Sequence, residues 1–297
     1  MTILTRLAGI SVASLLALSG APAQQPPRHP LIVDGAWLER RITDTSLVVL
    51  HAVSGRGEYD AGHVPRARAF LFASYAIQSG GLNAQIAPVA QLDSLLEDAG
   101  VSDDKHVVIY GQSLPMARLF VTLEYLGLTG RVSILDGGID AWREEGRRIS
   151  RDTSAVARGN FTPRVKADVV ADAPWILANS EKPGVALLDA RTPEFYLGVS
   201  AGQMPRAGHI PGARNIPFSS LTSDLTRLRD VEKLRRLFEG AGVKKGSKVV
   251  TYCHIGMQAS LLYTVSRALG YETQIYDGSF DEWSRKPELP VVGPLNK

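Results

Sequence analysis

The segment "VVTYCHIGMQAS", residues 249–260, contains Cys253, the single cysteine of the chain. A β-branched apolar run leads into it, a glycine-containing bend follows, and the amphipathic stretch "ASLLYTVSRALG" comes next. A buried free cysteine often acts as no more than a small apolar side chain. A place between a strand and a helix argues for chemistry. The first turn of a helix carries unpaired N–H groups and partial positive charge, and both favour an anion. A thiol held there is expected to have a lowered pKa and to attack as the thiolate. Gly256 permits a tight loop. The amides of His254, Ile255, Gly256, Met257, Gln258 and Ala259 are therefore candidates to surround the sulfur.

Other cysteine chemistries fit less well. One cysteine leaves no internal disulfide to form. A phosphate-binding Cys loop needs Arg at the sixth position after the cysteine, and that position is Ala259. His254 is too near in sequence to serve Cys253 readily as a general base. Scattered histidines with one cysteine give little support for a metal site, and no cofactor is implied. The formal charge of +3 is spread over segments such as "RLRDVEKLRR", where acids interleave with bases. That reads as a solvated surface and not as a nucleic-acid stripe.

The elements that position Cys253 occur twice. "VVIYGQSLPMARLF" (107–120) lies over "VVTYCHIGMQASLL" (249–262), "EYDAGHVPRA" over "RAGHIPGARNIPF", and "ILDGGIDAW" over "IYDGSFDEW". The order is the same in both halves, at an offset of about 140 residues. The runs "SLVVLHAV", "GVALLDAR", "KHVVIY" and "SKVVTY" read as buried strands. "AQLDSLLEDAG" and "DVEKLRRLFEGAG" have helical apolar spacing and end at glycine. Strands alternating with helices predict an α/β fold, each half a mostly parallel sheet flanked by helices. Ligands of such sheets bind at the carboxyl ends of the strands, where Cys253 stands. The boundaries expected are 28–152 and 161–293, joined by a polar segment around Ser150–Asn160.

Residues 1–23 form a separate unit: Arg6, an apolar run to Leu18, then "APA" ending at Ala23. This is the layout of a secretory signal peptide. Export is expected, to the periplasm where an outer membrane exists and to the medium otherwise. No stable membrane anchor is expected after cleavage.

Because only one copy has a thiol, residues shared by both copies are architectural candidates. His63 and His209 share a Gly-His element, and Trp142 matches Trp283. Asp189 and Arg191, in "LLDARTPEFY", have no counterpart in "VLHAVSGRGEY". They are candidates for the site, with a structural ion pair as an equal alternative. The second half also carries an insertion: Tyr59 precedes Gly62 by three positions, Tyr196 precedes Gly208 by twelve. Its Arg206 is a candidate pocket residue, against a plain surface loop. Gly111 occupies the position matching Cys253, and Gly111→Ala is expected to be mild if its φ is ordinary.

The tandem pattern, the "GHIPGA" element and the strand–Cys–loop–helix unit resemble the rhodanese (sulfurtransferase) family over about residues 30–293. The resemblance implies two tandem rhodanese-like domains, the second catalytic and the first lacking the cysteine. It implies transfer of sulfane sulfur from a small donor, thiosulfate or mercaptopyruvate, through a Cys253 persulfide. The acceptor would be thiophilic, cyanide or a thiol, and no cofactor or metal would take part. The loop amides would hold the persulfide, while Arg191, Arg206 or His254 would neutralise the leaving group. The chain departs from the family pattern in places. Thiosulfate-type members have basic residues directly after the cysteine, where His254 and Ile255 stand here, and an Arg where Phe195 stands. "CHIGMQA" also differs from the "CGSGVTA" of mercaptopyruvate-type members. Thiosulfate sulfurtransferase is the reading, with mercaptopyruvate sulfurtransferase and a non-enzymatic sulfur-carrier module as alternatives.

Overall fold

Parallel strands covered on both faces need unbroken apolar runs, and this chain supplies them. All seven residues of Leu47–Val53 and all six of His106–Gly111 are buried. The computed structural model describes residues 29–153 and 156–293. The expected signal peptide, 1–23, lies outside the described residues.

In the first half the strands are β1 (Ile32–Val33), β2 (Leu47–Val53), β3 (Arg68–Leu71), a hairpin of β4 (Ala76–Ser79) and β5 (Leu82–Ile86), β6 (His106–Gly111) and β7 (Val132–Leu135). The second half has β8 (Val170–Ala171), β9 (Val185–Asp189), β10 (Arg214–Asn215), β11 (Lys248–Tyr252) and β12 (Glu272–Tyr276). Two five-stranded sheets result, ordered β1-β7-β6-β2-β3 and β8-β12-β11-β9-β10, with every pairing parallel. The second copies the first strand for strand. In register, His51 pairs with Tyr110 as Asp189 pairs with Tyr252, so His51 stands where the second half has Asp189.

The predicted helices form where the apolar spacing places them, at Val89–Asp98 and Val231–Gly240. Asp230 starts the latter by accepting the N–H groups of Glu232 and Lys233. Helices Ser113–Tyr125 and Met257–Ala268 pack against each other and join the halves through one core. Across that contact Phe120 meets Tyr263 with ring centroids 6.1 Å apart. Glu124, 3% exposed, is satisfied by the Tyr263 hydroxyl at 2.8 Å and Arg267 Nε at 2.9 Å. Burial of side chains such as Phe120, Leu262 and Val265 contributes about 1.5–3 kcal/mol each. The halves are therefore one packed body. No helix among the described residues is long and apolar enough to cross a membrane.

The residues repeated in both halves hold the scaffold. His63 and His209 stack on Tyr59 and Tyr196, and each places Nδ1 against that tyrosine's carbonyl, at 3.0 and 2.7 Å. Trp142 and Trp283 are buried, and their indoles donate to Arg148 O and Pro290 O, both at 2.8 Å.

Each half also sends an excursion across to the other, which the repeat pattern did not reveal. The β4–β5 hairpin places the Ile86 N–H on Asp277 Oδ2 at 3.2 Å. Reciprocally, the segment bridged by Thr222 and Leu228 places the Leu228 N–H on Asp136 Oδ1 at 2.8 Å. Its Leu225 carbonyl accepts the Ser113 N–H at 2.9 Å, covering the turn after Gly111. Gly111 has φ +150°, and a Cβ there would lie 2.3 Å from Ala52 O on the neighbouring strand. The condition for a mild Gly111→Ala fails, because the backbone occupies the space a side chain would need.

Candidate active site

Cys253 is the residue after β11, and helix Met257–Ala268 begins beyond a three-residue loop. The loop is anchored from below. The Cys253 N–H donates to Ser279 Oγ at 3.2 Å, and the Cys253 and His254 carbonyls accept the N–H groups of Phe280 and Asp281, both at 2.9 Å. Those donors belong to the first turn of helix Ser279–Arg285, which would otherwise leave them unpaired. Gly256 has φ +87°, a left-handed conformation that turns the chain into the helix with little strain.

Cys253 is 1% exposed, and the backbone amides of Ala259, Ile255 and Gln258 favour its anion. The expected lowering of its pKa is corrected here. Burial pushes the Cys253 thiol above the usual cysteine range, against the three amides, and the Asp189 carboxylate adds to the rise. The resting group is therefore the thiol, and the amides favour its anion once the proton leaves. Around them His254, Ile255, Met257 and Gln258 are half-buried, while Gly256 and Ala259 are buried.

The charged candidates separate. Asp189 and Arg191 are buried together just below the loop. Arg191 Nε lies 3.0 Å from both carboxylate oxygens, and Nη2 lies 2.6 Å from Oδ2 and 2.7 Å from Gly208 O. Its guanidinium carbon sits 4.1 Å from the Phe280 ring centroid. This is the ion pair that sequence reasoning held as the alternative. Arg206 is elsewhere. It donates to the carbonyls of Trp283, Ser284, Lys286 and Leu289 at 2.7–2.9 Å and so caps the end of helix Ser279–Arg285. His254 is turned toward Phe195, with ring centroids 4.5 Å apart. Burial, with the Arg191 charge nearby, lowers its pKa, so the ring is neutral at pH 7. No group of three or more His, Cys, Asp or Glu suited to a metal occurs among the described residues.

Ser279 and Phe280 had not been singled out. Ser279 has φ +52°, a value rarely adopted outside glycine, and the first half has Gly138 at φ +52° in the same place. The Gly-to-Ser difference between "LDGGIDAW" and "YDGSFDEW" was the available signal. Serine is tolerated there because its hydroxyl joins the Cys253 N–H to Tyr276 O, the latter at 2.9 Å. Arg118, from the first half, also reaches the loop, and nothing in the sequence pointed to it.

A buried free cysteine at a strand–helix turn, on one of two duplicated parallel sheets, can be set beside known proteins. The profile of the rhodanese-like domain matches residues 34–145 and again 172–286. A thiosulfate sulfurtransferase of Azotobacter vinelandii is 28% identical over 265 residues, covering 88% of this chain and 97% of that one. The sulfur carrier protein TtuD of Thermus thermophilus is 30% identical over 284 residues, covering 89% of this chain and 97% of that one. The crystal structure of SseA from Escherichia coli, presented as a 3-mercaptopyruvate sulfotransferase, superposes with TM-score 0.75 at 24% identity, covering 84% of this chain and 99% of that one. The order of strands, the duplicated core and the two matched segments have one explanation: this chain belongs to the rhodanese-like domain family, with two copies of the domain.

Proposed function

We propose that the protein is a sulfurtransferase that moves sulfane sulfur from thiosulfate to a thiophilic acceptor through a persulfide on Cys253. The observation that carries this reading is the buried Cys253 between β11 and the N-terminus of helix Met257–Ala268, where the amides of Ile255, Gln258 and Ala259 favour its anion. The Cys253 thiolate attacks the outer sulfur of thiosulfate. A new S–S bond forms, the donor S–S bond breaks, and sulfite leaves with that electron pair. Cyanide or a thiolate then attacks the terminal persulfide sulfur and takes it as thiocyanate or a new persulfide, returning the Cys253 thiolate. The amide cradle supports the negative sulfur before and after transfer, as preorganised donors support developing charge elsewhere.

A second reading, 3-mercaptopyruvate as donor, is favoured by the charges at the site. Arg191 is committed to Asp189, Arg206 to a helix end, and His254 is neutral at pH 7. A donor with one carboxylate needs less compensation than a dianion. The test is intact mass of the purified protein after incubation with each donor. Gain of one sulfur atom, absent in Cys253→Ser, supports the persulfide, and the faster donor is the substrate class. Saturable turnover with cyanide separates an enzyme from a carrier. We also propose that the protein is exported after cleavage at Ala23, on the strength of residues 1–23. Envelope-fraction protein beginning at Gln24 supports this, and soluble cytoplasmic protein beginning at Met1 refutes it.

A further inference from the structure

A wholly buried arginine from the first half stands against the cysteine loop of the second. Arg118 lies on helix Ser113–Tyr125 and is 0% exposed. Its Nη1 is 2.5 Å from Asp277 Oδ1, across 159 residues of chain. Its Nε and Nη2 have no hydrogen-bond partner among the described residues. A guanidinium is costly to bury, and one with a single ion pair and two idle donors is a poor choice for stability alone.

The location suggests why it is there. Gly256 is the left-handed residue that turns the Cys253 loop into helix Met257–Ala268. A Cβ on Gly256 would lie 3.2 Å from Asp277 O and Oδ1 and 3.3 Å from Arg118 Nη1. The Arg118–Asp277 pair thus fills the space into which the turn would otherwise swing. Asp277 is held from three directions within the first half: by Arg118, by the Ile86 N–H at 3.2 Å, and through its carbonyl by Gln85 Nε2 at 3.3 Å. Two of these contacts come from the β4–β5 excursion and only the third is a charge. The reverse arrangement has no buried arginine in that place, because Ser260 occupies the position matching Arg118 in the aligned repeat. Asp136 receives the Leu228 N–H, and the charge near it is that of Arg227, an exposed residue of the second half's excursion that pairs with Glu144. The two excursions are reciprocal and each half brings an arginine to the other, but only the half that has the nucleophile receives a buried one in direct contact with the aspartate.

We infer that Arg118 is a positioning residue for sulfur transfer: through Asp277 it fixes Gly256 and so the convergence of the Ile255, Gln258 and Ala259 amides on Cys253. The first, cysteine-free half then has a task in the reaction. This inference rests on the persulfide reading above.

The test uses the full-length protein with Arg118→Gln, Arg118→Lys, Asp277→Asn and the pair Arg118→Gln/Asp277→Asn, which leaves no lone buried charge. Arg267→Gln is the control, because it breaks a contact between the halves at Glu124, away from the loop. For Arg118→Gln and for the pair, the expected result is a kcat lower by about tenfold. The donor KM should change less than twofold, and Arg118→Lys should recover most of the loss. Amide hydrogen exchange across 254–259 is expected to quicken in the same variants while the helix Val231–Gly240 is unchanged. Arg267→Gln is expected to lose thermal stability and keep kcat. If Arg118→Gln does not fold, Asp277→Asn and the pair decide. A kcat within twofold of wild type in the folded variants, or unchanged exchange across 254–259, overturns the inference. A wild-type protein that takes no sulfur from either donor refutes the persulfide reading instead, and the exchange measurement alone then decides the role of Arg118.

Discussion

Replacing Arg191 with alanine separates a donor-binding arginine from a structural one. The guanidinium makes three contacts with Asp189 and one with Gly208 O, and the side chains of the pair are 2% and 0% exposed. Removing it leaves the Asp189 carboxylate buried without its counter-charge, a loss of about 3–5 kcal/mol. Stacking on Phe280 adds on the order of 1 kcal/mol. For a body of this size each kcal/mol lowers Tm by about 2–4 °C, so a fall of about 10 °C or more is expected. Calorimetry reads the fall, and kcat/KM is measured well below the new Tm. There the variant is expected to keep kcat/KM within about threefold, since the amides that face Cys253 remain. Arg191→Lys keeps the charge but not the two-pronged geometry and should fall between. A double replacement of Asp189 and Arg191 by apolar residues of similar volume should recover much of the stability. A Tm within about 2 °C of wild type, together with kcat/KM lower by about tenfold or more, would refute this reasoning and make Arg191 a donor ligand.

Gly111→Ala should be destabilising by about 3 kcal/mol or more, because φ +150° and the Ala52 carbonyl leave no room for Cβ; chemical denaturation checks this. For the same reason Gly111→Cys should not create a second persulfide site, which intact mass of Cys253→Ser carrying that change would read. Burial raises the Cys253 thiol, so the rate of persulfide formation should still be climbing with pH above about 8.5, where an ordinary thiol is half ionised. The same shift makes the unfolded state lose that proton first, so stability should fall as pH rises past about 8.5, and less so in Cys253→Ser. His51 and His106 are buried neutral and titrate at about 4, so the unfolded state binds protons first as pH falls. Tm should therefore drop between about pH 6.5 and 4, and His51→Phe should flatten that slope; an unchanged slope would remove His51 as a cause.

The arrangement of α/β units, the duplication and the nucleophile were all legible in short stretches of chain. Runs such as "VVIY" and "VVTY" can bury both faces only in a covered sheet, and the cysteine follows one of them directly. The amides near the sulfur belong to the same dozen residues as the sulfur itself, so the loop and its Gly256 turn were readable too. Asp189 and Arg191, two positions apart, were readable as a pair but not as a buried one. What the chain order could not convey is where long side chains end. Arg206 finds its acceptors 77 to 83 residues away, and Arg118 finds Asp277 159 residues away in the other half. Periodicity and turn chemistry act over a few residues, whereas these contacts exist only once the two sheets pack through helices Ser113–Tyr125 and Met257–Ala268. The direction of the thiol pKa was decided at the same level. A strand–helix turn by itself favours the thiolate, and only the packed body excludes water strongly enough to reverse that preference.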